Sequence, residues 1–426
     1  MKGLLVVLIG WSVWVAFWAW NLPFNAAPDE CLHFESARFF AQEKRLPVFG
    51  QEPTSFIDRD GCFGITYLST PFVHYILAGF LINNGHYLGV ERSYLAARLS
   101  SLFFGVIFVI CFYKFLRLIF QKNGKLVWTT LLTTIFIPQV TYIFSYLNHE
   151  AYSLAVSAFL FWVSFEWFTD DSKKKLINFF VLGLAIAFQF WAKSNFYLVL
   201  ILPLSLLGFE LVKRKNLSFK GLVMTATIIL TFNGWFWGRN YLLYKDPLGV
   251  MTAQELVHQR MVKRTYAQAG WSGYDILFKS KWLEETTSSF YGRFGYMTVE
   301  IDPAMQWFFR LFIFGGMAGN LYFVVKNKVR LFTWARLFEW SCWLIIVLVP
   351  ILSLLNTLYF DFQNQGRYLF PALIPLLVFT NRGLFKLVAS KDDQLKLTMV
   401  LILGSLGLNF WSFLYLPKIM VVQLEF

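Results

Sequence analysis

The chain has 426 residues, of which 57% are hydrophobic and only 15% charged, with a mean hydropathy of +0.53; soluble globular proteins carry about 25% charged residues, so a soluble fold is excluded. Aromatics make up 20% (49 Phe, 19 Tyr, 17 Trp), which excludes a disordered scaffold, and the length excludes a single-span anchor at about 20 residues per crossing. The net charge of +13 and pI near 9.4 would point to nucleic acid in a soluble protein, so where the charges lie decides what they mean.

The first apolar run starts near Leu4 and continues through Trp11, Trp14, Trp18 and Trp20. Pro28, directly after Ala26-Ala27, makes a poor cleavage site, so the run reads as a retained anchor rather than a signal peptide. A first outer loop over 21–92 follows. Its Pro28-Asp29-Glu30 start predicts a helix to about Gln42, with Pro in the first turn and acids at the positive helix end. The apolar stretch Tyr67 to Asn83 contains Pro71 and His74; counting it as a span would invert every later loop, so it is read as lying in the outer interface. Further spans start near Tyr94, Leu126, Glu150, Leu176, Phe196 and Gly221. A second outer loop covers 239–303, and the last spans start near Ala304, Leu337, Tyr368 and Thr398. The expectation is an all-α polytopic membrane protein with about eleven transmembrane helices, a single integral membrane domain over 1–426 whose two long outer loops carry juxtamembrane helices.

With a cytoplasmic N-terminus, the turns Lys114 to Lys125, Thr169 to Lys175, Lys213 to Lys220, Lys326 to Arg336 and Arg382 to Lys396 are cytoplasmic. About 20 of the 38 Lys and Arg, but only about 7 of the 25 Asp and Glu, fall on that side. This positive-inside asymmetry accounts for the high pI, leaves membrane lipid as the surrounding partner, and removes the reason to invoke nucleic acid. There is no internal repeat and no Gly-rich phosphate loop. Cys111 and Cys342 fall within spans, and Cys31 and Cys62 share the first outer loop, where oxidising conditions permit a disulfide. No cysteine or histidine spacing resembles a zinc site, and no metal ligand set is assigned.

On a helix starting at Pro28, Asp29, Glu30 and His33 share one face. A carboxylate beside an imidazole at the membrane surface can accept a proton from a hydroxyl, bind a metal or hold a cation, while helix capping by the two acids is the plainer reading. Other polar groups gather on the outer side: Asn148-His149-Glu150, Lys193-Ser194-Asn195, Arg239-Asn240, Arg293 in Tyr291-Gly292-Arg293-Phe294-Gly295-Tyr296, and Gln365-Gly366-Arg367-Tyr368. Each alone is explained by snorkelling or capping. Together they supply carboxylates and cations at one membrane face, the equipment needed to bind a phosphate and deprotonate an acceptor. Trp271, Tyr274, Tyr291 and Tyr296 suit either stacking on sugar rings or an interfacial belt.

A first span followed at once by the outer acidic pair Asp29-Glu30, a helix and a long loop resembles the GT-C superfamily of membrane glycosyltransferases. Pro28-Asp29-Glu30 with His33-Phe34, then Arg45-Leu46-Pro47-Val48, is similar to a bacterial branch of it; Arg239-Asn240 with Asp246-Pro247-Leu248-Gly249, Gly292-Arg293-Phe294-Gly295, and Gln365 through Pro371 echo the same branch in order. The resemblance implies an inverting enzyme in the bacterial inner membrane that transfers a hexosyl or pentosyl group, on the outer face, from a polyprenyl-phosphate donor to an envelope glycan or lipid acceptor. It implies Asp29 as general base and Glu30 as the second acid, with His33, Lys193, Arg239, Arg293 and Arg367 at the donor phosphate. Asn148, His149, Glu150 and Gln365 are implied acceptor or auxiliary groups. Some members carry a divalent cation, Mg or Mn, at the motif matching Asn148-His149-Glu150; the single acid here leaves no cofactor assigned. Ser69-Thr70-Pro71 followed by His74 departs from the His-Pro-Pro of the lipid A and protein-mannose branches, so neither branch's acceptor is implied.

Two other classes remain open from sequence. A transporter or flippase of lipid-linked glycans predicts ionisable residues deep in the spans and internal repeats, and the chain has few of the first and none of the second. A noncatalytic subunit with the same fold is the other, because fold does not fix function.

Overall fold

The computed structural model describes residues 2–59, 61–69, 72–85, 89, 92–121, 123–169, 176–214, 218–260, 264–326, 334–388 and 390–419. Thr70 and Pro71, and much of the basic turns after Phe168, Val212 and Lys326, lie outside the described residues.

The first span, α1 (Lys2–Asn21), is apolar on all sides and buries only Trp11, Val15 and Trp18 against the protein, as a lipid-facing helix does. The first long segment between spans folds into α2 (Glu30–Glu43), a hairpin of β1 (Phe56–Arg59) and β2 (Cys62–Ile65), and α3 (Val73–Asn84). The strands are antiparallel, with Phe56 opposite Ile65 and Arg59 opposite Cys62. Cys31 and Cys62 form the disulfide that the sequence permits, stapling α2 to the hairpin. At 12 residues, α3 is about 18 Å long and cannot cross about 30 Å of hydrocarbon; it packs on α2 and on the next helix, α4 (Ser93–Phe120).

After α4 come α5 (Gly124–Ile135) and α6 (Pro138–Ser145), bent by 60° at Phe136-Ile137. The cause is local, because Pro138 cannot donate into the preceding turn and starts a new helix. Next is α7 (His149–Thr169), the most buried candidate span, 83% against 17% for α1. Ala151, Ala155, Ser157 and Ala158 are buried along it, and such small side chains let helix backbones approach closely in a membrane. It packs against α4 and α8 (Leu176–Gln189). The chain continues through a 3₁₀ stretch, Ser194–Leu200, into α9 (Ile201–Phe209), then α10 (Phe219–Ile229) and α11 (Trp235–Tyr244).

The second long segment between spans holds α12 (Val250–Arg260), α13 (Gly273–Lys279), α14 (Trp282–Gly292) and the short pair β3 (Arg293–Phe294) and β4 (Val299–Glu300). The bundle closes with α15 (Pro303–Lys326), α16 (Trp334–Tyr359), the 3₁₀ stretch Gly366–Ala372, α17 (Leu373–Leu387) and α18 (Lys391–Phe413). Among the described residues nine helices are long and apolar enough to cross a membrane, or ten with the bent pair counted as one span. The protein is therefore a helical, multi-pass membrane protein. All eleven expected apolar runs are helical; the one starting at Leu176 falls short of the span length because α8 has only 14 residues.

Polar groups inside the bundle are matched across helices. The Trp14 indole donates to Asn409 Oδ1 at 2.7 Å, and Asn409 Nδ2 donates to Thr141 Oγ1 at 2.7 Å, joining α1, α18 and α6. Another such match holds the segment after α1 in place. Glu30, expected beside Asp29 in the site, points inward and is fully buried. It accepts from Arg98 Nε at 2.6 Å and Nη2 at 2.7 Å, while Arg98 Nη1 also donates to Ala19 and Leu22 carbonyls at 2.6 Å each. This bidentate pair fixes the end of α1, the turn after it and α4 to one another. Removing one partner of a buried pair leaves the other charge uncompensated. We predict that Arg98→Ala destabilises the protein by roughly 3–5 kcal/mol, read as a fall in thermal midpoint of the purified protein, with no comparable fall for Asp29→Asn.

Candidate active site

Four segments far apart in sequence meet at the N-terminal end of α7. The N-terminus of α2 brings Asp29 and His33, the start of α7 brings His149 and Glu150, the turn before Ser194–Leu200 brings Lys193, and the 3₁₀ stretch Gly366–Ala372 brings Arg367. They form a chain of alternating charge. Lys193 Nζ lies 2.8 Å from Glu150 Oε1, Arg367 Nε 3.7 Å from the same oxygen, and Arg367 Nη2 donates to Asp29 Oδ2 at 2.7 Å. Glu150 and Arg367 have side chains only 1% and 3% exposed, whereas Asp29 is 32% exposed.

Asp29 stands at the N-cap of α2 but does not cap it. Its backbone is left-handed, with φ 64°, and its side chain makes no capping bond; an aspartate tolerates this region at a modest energetic cost, and such residues cluster at functional sites. The turned-away carboxylate instead takes hydrogen bonds from Arg367 and from the Tyr67 hydroxyl at 3.2 Å. Burial pushes its titration up, but the charge and hydrogen bond of Arg367, with the charge of Lys193 behind it, outweigh burial and hold the carboxyl below the ordinary aspartate range. Asp29 is thus ionised at neutral pH.

His33 is fully buried, stacked on Tyr67 with ring centroids 4.0 Å apart, and its Nδ1 lies 2.7 Å from the Tyr75 hydroxyl. Burial lowers its pKa to about 3 against the pull of Glu150 and Asp29, so the imidazole is neutral. The same Tyr75 hydroxyl lies 3.5 Å from His149 Nδ1. Orienting both rings through Nδ1 leaves His33 Nε2, His149 Nε2 and Glu150 Oε2 as buried polar atoms with no hydrogen-bond partner; His149 Nε2 lies 3.6 Å from Glu150 Oε2, and each of the three side chains brings one donor atom within 4.8 Å of the others. Two imidazole nitrogens and one carboxylate oxygen are a donor set able to hold a divalent cation.

A cavity of about 490 Å³ opens against this cluster, with Tyr67, His149, Lys193, Asn195 and Tyr368 at its polar wall and Val349, Leu352 and Leu355 of α16 at its apolar one. Lys193 Nζ also sits over the Tyr368 ring, 4.5 Å from its centroid.

The other expected site residues lie elsewhere. Asn148 is fully buried and closes the turn before α7, donating to the Ile143 and Tyr146 carbonyls at 2.6 and 2.8 Å and accepting from the Ala151 N–H at 3.0 Å. Arg239 does not line the cavity; it donates to the Pro47 carbonyl at 2.5 Å and ties the end of α11 to the segment after α2. Arg293 pairs with Glu300 at 2.6 Å and Glu285 at 3.7 Å, also away from the cavity. Gln365 is the N-cap residue of the 3₁₀ stretch, and Gln363 lines the cavity in its place. Tyr67 and Tyr75 were not singled out by sequence, since neither stands in a charged motif.

The position of Arg367 depends on Gly366. Its N–H donates to Ser289 Oγ at 2.6 Å, and a Cβ there would fall on the backbone of Phe290 in α14. Only glycine allows this approach.

No protein-family model matches the sequence, and no curated protein matches it significantly. Solved structures do match in fold. The archaeal oligosaccharyltransferase AglB from Archaeoglobus fulgidus, in complex with an inhibitory peptide and a dolichol-phosphate, aligns over 95% of this chain and 56% of its own length, at 13% identity and a TM-score of 0.52. This chain thus spans little more than half of that protein. ArnT from Cupriavidus metallidurans bound to undecaprenyl phosphate aligns over 91% of this chain and 78% of its own, at 12% identity and a TM-score of 0.41.

We predict that Gly366→Ala destabilises the protein by about 1–3 kcal/mol, as overpacking does, and weakens the function of the site more than Gly10→Ala does, where an added Cβ meets no atom within 4 Å; paired thermal midpoints and activities check this. The alternating-charge cluster sits in a chain whose fold is similar to that of the archaeal oligosaccharyltransferase AglB.

Proposed function

We propose that the protein transfers a sugar from a polyprenyl-phosphate donor to a hydroxyl acceptor on the outer face of a bacterial cytoplasmic membrane, inverting the anomeric centre. The observation that carries this reading is Asp29, an ionised carboxylate held by Arg367 and Tyr67 beside a cavity that presents Lys193. A polyprenyl tail cannot leave the bilayer, so its phosphate must be met at the headgroup level by fixed cations. Lys193, 17% exposed at the cavity wall, is suited to that, and the apolar α16 face suits the first isoprene units. Arg367 is assigned to orienting Asp29 rather than to the phosphate, because its guanidinium is spent on Asp29 and Tyr146.

In the reaction the acceptor oxygen attacks the anomeric carbon, its proton passes to Asp29, and the bond from that carbon to the phosphate oxygen breaks, leaving the electron pair on the phosphate. Lys193 stabilises the charge that grows there. His33, His149 and Glu150 fit a divalent cation on the evidence of their three unpartnered atoms; when bound, such an ion would add positive charge beside the leaving group. Glu30, bonded to Arg98, has no part in proton transfer. The topology that puts this site outside, with the N-terminus cytoplasmic, is supported by the positive-inside distribution of Lys and Arg. An ordered charge chain at the rim favours chemistry over transport, for which a polar path through the spans is expected.

Mass spectrometry of envelope glycans from cells carrying wild type, a deletion or Asp29→Asn at matched membrane abundance tests the reading. A sugar missing from both mutants is expected, and a full glycan pattern with Asp29→Asn contradicts it. For the purified protein, Lys193→Ala is expected to weaken undecaprenyl phosphate binding about tenfold or more. The pH dependence follows from Asp29: activity needs the carboxylate, which persists down through its lowered pKa, so the rate falls only below the usual aspartate value of 3.8. His33, neutral above about 3, adds no limb near the ordinary histidine value of 6.5. A rate that halves near neutrality as pH drops would contradict both assignments.

A further inference from the structure

A second cavity, of about 1090 Å³, shares no lining residue with the first. Two tyrosines flank the start of α2 where Asp29 stands. Tyr67, which lines the first cavity, donates to the Asp29 carboxylate. Tyr296, which lines the second, donates to Asn25 Oδ1 at 2.7 Å, and the same oxygen accepts from the Cys31 N–H two residues after Asp29. With a lipid phosphate on the Lys193 side, the second cavity, lined by Ala26 and Cys31 on either side of Asp29 in the chain, lies on the other side of the base.

The walls of this cavity have a definite chemistry. Phe34, Phe63 and Tyr296 offer aromatic surface, the last two being 57% and 49% exposed, and aromatic faces with a few placed polar groups suit a sugar ring. The charged lining consists of Glu35, Arg38 and Arg59. Glu35 is buried, and both arginines pair with its Oε1, Arg38 at 3.3 Å and Arg59 in closer contact. One carboxylate cannot neutralise two guanidiniums, so the lining carries excess positive charge. The arginine side chains remain 39% and 50% exposed, leaving donors directed to an incoming group. The disulfide fixes this arrangement, since Arg59 lies opposite Cys62 in the hairpin and Cys62 is bonded to Cys31 of α2.

We infer that this cavity binds the acceptor and selects a saccharide bearing an anionic group, a carboxylate or a phosphate, through Arg38 and Arg59. The inference rests on the transferase reading above. The hydroxyl that attacks the anomeric carbon then belongs to a charged sugar whose anion lies against the hairpin, with Asp29 taking its proton.

The test uses the full-length protein in nanodiscs and saturation-transfer NMR with three probes: methyl β-glucuronide, glucose 6-phosphate and the neutral methyl β-glucoside. Undecaprenyl phosphate binding is measured in parallel. At least one anionic sugar is expected to bind about fivefold tighter than the glucoside, the effect of one partly exposed charge pair, and the two anions against each other tell carboxylate from phosphate. Arg59→Gln should remove the preference and Arg59→Lys retain most of it, with lipid phosphate binding and thermal midpoint unchanged in both. Equal binding of the three sugars, binding of none, or a preference that survives Arg38→Gln combined with Arg59→Gln overturns the inference. Loss of the inference alone leaves undecaprenyl phosphate binding intact; a wild-type protein that binds no lipid phosphate overturns the transferase reading itself.

Discussion

A carboxylate 1% exposed among apolar helices must be matched by charge, and the geometry around Glu150 is what satisfies that demand. Glu150 takes Lys193 and Arg367 as its counter-charges, and Arg367 takes Asp29. The result is a row of alternating sign whose interior members are sealed and whose two ends, Lys193 and Asp29, reach accessible space. A cation and a carboxylate are thereby held a fixed distance apart without loops having to order on substrate binding, the kind of preorganisation on which electrostatic catalysis depends.

The two adjacent acids of the first outer segment divide along the same physical line. Glu30 is drawn into a bidentate bond with Arg98, where its role is to hold α1, α2 and α4 together. Asp29, one residue earlier, has left-handed backbone that swings its side chain the other way, toward Arg367. Neighbouring carboxyl groups of similar intrinsic acidity thus serve different ends because their surroundings differ. The disulfide and hairpin complete the segment by fixing the outer wall beside Asp29.

Much of this was legible in the sequence. The apolar runs located the spans, because bilayer thickness acts on sequence directly. Pro28 and the acids after it marked α2, and Asp29, His33, His149, Glu150, Lys193 and Arg367 were all singled out. What sequence could not give is which of the polar groups meet. Arg98 is hidden in the first turns of an apolar helix, and nothing local ties it to Glu30. Arg239 and Arg293 carry motif signals yet are taken up by Pro47, Glu285 and Glu300. The single acid of Asn148-His149-Glu150 gave no metal set, since the third donor, His33, arrives from a segment more than a hundred residues away. Asp29 was expected to cap its helix, and only the backbone conformation reveals that it does not.

The central claim is that a lipid-linked phosphate docks on the Lys193 side of Asp29. An electron cryomicroscopy map of the full-length protein in nanodiscs with undecaprenyl phosphate tests it most directly. The account predicts phosphate density against Lys193, with the first isoprene units along Val349 and Leu352. Phosphate bound at Arg293 or Arg239, with the cavity beside Asp29 empty, would contradict it.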